Sequence, residues 1–99
     1  MIRQDIDVAG YWNITIFYNV RTPGVNQGFS YSIISQRRSV VVIGIADSYE
    51  QFLNTVVHEA KHIQSTICDY YDVSEDSEDA AYLIGYIVMM MSRNFPKHI

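Results

Sequence analysis

Residues 11–20 alternate, with Trp12, Ile14, Ile16, Tyr18 and Val20 on one face and Asn13, Thr15 and Asn19 on the other, the period of a half-buried strand. Residues 21–28 concentrate Pro, Gly and Asn, which set turn dihedrals, and predict a loop. Alternation resumes over residues 29–35, with Phe29, Tyr31 and Ile33 against Ser30 and Ser32, and predicts a second strand. Beyond the polar connection through Arg37 and Arg38, residues 39–46 are apolar on both faces and predict a third. Gly44 within it implies a bulge or a close backbone approach. At Asp47 the period changes to that of a helix. An acceptor side chain followed three positions later by Glu50 is a helix start, and Phe52, Val56, Ala60, Ile63 and Ile67 continue at three-and-four spacing. The pattern predicts a helix over about 48–70. The acidic, cap-rich residues 72–77 form a short loop into a second helix over about 75–94, with Ala80, Leu83, Ile84, Ile87, Val88 and Met91 on its apolar stripe. Met89, Met90 and Met91 read as gap-filling core with one side exposed.

The predicted class is α+β, in a single domain over residues 1–99: about three N-terminal strands packed on a long helix and a second, C-terminal helix. At 48% hydrophobic and 18% charged, the chain has enough apolar surface to fold. A net charge of −4 supplies no basic face, which argues against nucleic acid as a partner. Arg37 and Arg38 read as a solvated hairpin tip. Cys68 is the single cysteine, which fits a reducing compartment. Acids and amides interrupt the N-terminal apolar residues, and the longest apolar run, residues 80–91, is shorter than the roughly twenty residues a bilayer-spanning helix needs. These observations predict a cytoplasmic protein with no membrane partner.

The first helix contains His58-Glu59-Ala60-Lys61-His62. Residues four apart lie about 40° apart around a helix and one turn along it, so two imidazoles can converge on one Zn²⁺. Glu59, turned about 100° from His58, is placed to act as general base on a water in the open coordination position. A catalytic zinc usually has three protein ligands. Cys68 stands where a longer metzincin pattern ends, but it is not His, and Ser65 replaces the glycine that pattern needs. Asp69 lies about three turns from His58. Glu75 and Glu78, at the start of the second helix, are better placed if that helix returns antiparallel. Glu78 is preferred, because its flank also carries the small residues Ala81 and Gly85, where another helix can approach.

His58-Glu59-x-x-His62 followed by Glu78-x-x-Ala81 resembles the gluzincin branch of zinc metallopeptidases, and the short strand–helix–helix order resembles its minimal single-domain members, the minigluzincins. The resemblance covers about residues 39–91. It implies a small zincin-like domain with His58, His62 and Glu78 as zinc ligands and Glu59 as general base. It also implies a peptide or protein substrate hydrolysed through a zinc-activated water and paired by strand addition along residues 40–46, Val40 through Ala46. Residues 95–99 would block the cleft in a self-inhibited form. The competing expectation is a catalytically inactive zincin-fold module that binds a peptide strand along Val40 to Ala46 or a partner helix at the methionines. Among Tyr70, Tyr71, Tyr82, Tyr86 and His98, packing is the expected role and none is assigned to catalysis.

Overall fold

Two antiparallel hairpins lie side by side in one sheet in the computed structural model, which describes residues 2–21 and 27–94. Strand β1 (Ile2–Val8) pairs with β2 (Trp12–Val20), and β3 (Gly28–Ile33) pairs with β4 (Arg38–Gly44). The seam between the hairpins is the parallel pairing of β2 with β4, which gives the order β1-β2-β4-β3. Two helices follow, α1 (Tyr49–Tyr71) and α2 (Glu78–Ser92). The α+β class holds, but the sheet has four strands rather than about three. The added strand is β1, in which Ile6 and Val8 are buried while Arg3, Asp5 and Asp7 are exposed. Its turn uses positive φ at Ala9 and Gly10, and Tyr11 N–H donates to the Val8 carbonyl, the primed geometry that matches hairpin twist.

The inner face of the sheet presents Ile6, Ile14, Ile16, Tyr18, Val41 and Ile43 to Phe52, Val56, Ala60, Ile63 and Ile67 of α1 and to Ile87 and Met91 of α2. Fully burying one such large side chain contributes about 1.5–3 kcal/mol. Across the hairpin seam, Trp12 Nε1–H donates to Ser39 Oγ at 3.0 Å, and Ser39 Oγ lies 2.7 Å from Ser32 Oγ. This hydrogen-bonded chain ties β2, β4 and β3 together within the sheet. Gly44 lies beside a bulge on β2, where Asn19 takes a positive φ and the register shifts between Phe17 and Val20. Arg37 is exposed as expected, but Arg38 is half-buried and begins β4, its guanidinium 3.4 Å from Thr15 Oγ1. In the run of three methionines on α2, Met91 is buried, Met90 half-buried and Met89 exposed.

Ser48 caps the start of α1: its Oγ accepts from Gln51 N–H, while Gln51 Oε1 accepts from Asp47 N–H. The capping side chain is therefore Ser48, with Gln51 reaching back to the Asp47 N–H, rather than Asp47 paired with Glu50. Asp72 ends α1 in the left-handed conformation, and Val73 N–H donates to the Cys68 carbonyl. The residues 72–77 turn the chain, and Ser77 caps α2 by accepting from Ala80 N–H. Among the described residues no helix is long and apolar enough to cross a membrane.

Candidate metal centre

The apolar stripe of α1 faces the sheet, and this orientation turns His58 and His62 outward, where both are exposed. Their Nε2 atoms stand 3.2 Å apart, with the rings steeply inclined at 76°. Two nitrogens each 2.0–2.1 Å from a tetrahedral zinc are about 3.3–3.4 Å apart, so the pair already has the separation of two ligands on one ion. The same separation admits a hydrogen bond only if one ring donates and the other accepts.

Glu59 lies on the adjacent side of the helix and is only 4% exposed. His58, Glu59 and His62 line an open groove of about 600 Å³ whose opposite wall is β3, including Gly28, Ser30 and Ser32. Strand β3 is an edge strand. Gly44 N–H donates to the Gln27 carbonyl at 2.7 Å. In the alternating antiparallel pattern this directs the backbone groups of Phe29, Tyr31 and Ile33 to β4 and those of Gly28, Ser30 and Ser32 to the free edge. The strand expected to receive an extended substrate, residues 40–46, has no such edge. It forms β4, which is paired with β2 on one side and β3 on the other, so Val40 through Gly44 cannot accept a further strand. Edge position depends on long-range pairing, and an apolar run such as 39–46 signals an interior strand rather than a border.

The carboxylates are less converged. Glu78 is exposed at the first residue of α2. Its flank does not meet a helix: Ala81 and Gly85 are exposed, and a Cβ placed on Gly85 would have nothing within 4 Å. Helix α2 instead meets α1 through Ala80, whose carbonyl accepts from buried Gln64 Nε2 at 3.0 Å. Glu75 lies beside α1, its carboxylate 3.6 Å from Lys61 Nζ. The Ser65 hydroxyl first, and then the Lys61 charge, hold its carboxyl below the usual range. Ser65 lines the histidine groove and also a neighbouring one that Glu75 lines with Asp69 and Asp72, so Glu75 stands beside the histidine groove and not in it. Asp69 is exposed, and Cys68 is buried, with burial pushing its thiol up. Among the described residues, no group of three or more His, Cys, Asp or Glu is gathered closely enough to hold a metal. The structure thus brings His58 and His62 together with Glu59 beside them, and leaves Glu78 apart. Residues 95–99, expected to block the cleft, lie outside the described residues.

No protein-family model matches the chain, and neither curated proteins nor solved structures give a match.

Proposed function

We propose that this protein is a zinc-dependent peptidase of gluzincin type, in which His58 and His62 hold the metal, Glu78 completes the ligand set and Glu59 is the general base. The observation that supports this reading is the 3.2 Å between the two Nε2 atoms on the floor of an open groove. Zinc, when bound, supplies a Lewis acid for the scissile carbonyl and makes a water more acidic. The Glu59 carboxylate takes the proton of the attacking water and returns it to the leaving amine. An extended peptide lies along the free edge of β3, where Gly28, Ser30 and Ser32 offer backbone hydrogen bonds opposite the histidines. The assignment of Glu78 rests on the Glu78-x-x-Ala81 resemblance, and Glu75 is its competitor by position.

Zinc content of the purified protein after incubation with zinc tests the reading. One ion per chain is expected, lost in His58→Ala, His62→Ala and Glu78→Ala and retained in Glu75→Ala. Glu59→Gln should retain zinc and lower peptide hydrolysis by about 10²–10⁴-fold. Zinc loss in Glu75→Ala with retention in Glu78→Ala would transfer the third ligand to Glu75, and a wild type that takes up no zinc would refute the metal centre.

The exposed rings of Phe29 and Tyr31 on the edge strand favour a second reading, a module that binds a peptide strand without cleaving it. In that case binding survives Glu59→Gln and fails in Ser30→Pro, which removes an N–H from the free edge at a position where proline is tolerated.

A further inference from the structure

A second groove, of about 770 Å³, lies on the side of α1 that carries Ile67, Cys68 and Tyr71, turned roughly half a circle from the histidines. Its floor is apolar, and four of its lining residues are tyrosines. Tyr11 comes from the β1–β2 turn and Tyr71 from the last residue of α1. Tyr82 and Tyr86 stand one turn apart on α2, with Asp79 one turn before Tyr82 on the same strip. The first pair is fixed: the rings meet edge to face at 5.2 Å, and Tyr71 OH donates to the Tyr11 carbonyl at 2.9 Å. The second pair faces solvent, and Tyr82, at 73% exposed, contributes little to the core.

The charge of this groove has one sign. Asp79 is the only acidic residue among the described lining residues, and none of them is Lys, Arg or His. Burial, followed by Tyr71, Cys68 and Asp79, raises the Tyr11 hydroxyl above its ordinary value, so the groove resists added negative charge. Aromatic faces carry negative potential and attract cations within about 6 Å of the ring centre. A neutral apolar ligand would use the floor and leave Asp79 unanswered. A hydrated metal ion would use Asp79 and leave the rings idle.

We propose that this groove binds an organic cation, an alkylated ammonium or guanidinium group on an apolar body, with the tyrosine rings around it and Asp79 as counter-charge. The assignment uses no residue of the histidine site and stands independently of the peptidase reading.

Choline, compared with its uncharged isostere 3,3-dimethylbutan-1-ol, is the probe. Amide NMR shifts on the full chain provide the readout. Choline is expected to give saturable shifts centred on Tyr11, Asp79 and Tyr82, weakening with added salt, while the isostere binds several-fold less tightly. Tyr82→Ala and Asp79→Asn alter exposed residues and should each weaken choline about two- to fivefold, with the amide spectrum otherwise unchanged. Equal binding of the isostere, indifference to both substitutions, or no saturable shift with choline would each overturn the proposal.

Discussion

Gln64 donates its side-chain amide to the Ala80 carbonyl at 3.0 Å while its Oε1 receives Lys61 Nζ at 2.7 Å. One buried amide therefore joins the middle of α1 to the first turn of α2, and sets where Glu78 and Asp79 stand relative to the rest of the molecule. Gln64→Leu keeps the size and removes both bonds. It should cost about 1–2 kcal/mol, read as a lower denaturant midpoint with an unchanged slope. An unshifted midpoint would show that this bond does not anchor α2.

Gly28 opens β3 where the strand passes close to its neighbours. A Cβ there would lie 2.5 Å from the Val42 carbonyl oxygen and 3.2 Å from Thr55 Cγ2. The first contact is with backbone and cannot be relieved by a rotamer change. Gly28→Ala should destabilise the fold by about 1–3 kcal/mol and push β3 away from β4, altering the groove wall opposite the histidines. Thermal unfolding measures the first effect, and loss of amide protection in β3 the second.

Tyr18 is fully buried, its hydroxyl hydrogen-bonded to Gln4 and 3.4 Å from the Met91 carbonyl. Burial pushes this hydroxyl well above its ordinary value of 10.0. A raised value in the folded state means that the folded protein holds the proton more tightly. The associated stability is complete below pH 10 and is lost as pH rises towards the folded value. Unfolding midpoints should thus fall steeply in alkali. Tyr18→Phe should lower stability at neutral pH by about 1 kcal/mol yet flatten that alkaline decline. The decline should not vanish, since Tyr11 and Cys68 are also raised. An equally steep fall in the variant would assign it elsewhere.

The helices follow from local pattern. The stripe of Phe52, Val56, Ala60, Ile63 and Ile67 is buried as its spacing requires, and the outward histidines follow from it. Strand β1 is equally local: Ile2, Ile6 and Val8 alternate with Arg3, Asp5 and Asp7, but its charged, exposed face obscures the strand in the sequence. Pairing order was not local. Nothing in residues 39–46 states that β3 folds back outside them, so the border of the groove fell to the wrong strand. The flank of α2 carrying Ala81 and Gly85 invited a neighbouring helix, whereas the helices meet at Ala80 through Gln64, a contact that periodicity does not encode. The tyrosine groove draws on residues from Val8 to Tyr86, and in sequence each of its rings resembles ordinary packing.

The two grooves differ in how the chain assembles them. Every described residue lining the histidine groove falls between Gly28 and Thr66, in β3, in Ile34 just beyond it and in α1. Its walls are neighbours along the chain as well as in space, and closing a shorter loop costs less entropy than closing a long one. The histidine groove thus spans a shorter stretch of chain than the tyrosine groove, whose described lining runs from Val8 to Tyr86. The tyrosine groove exists only where both ends of the fold meet.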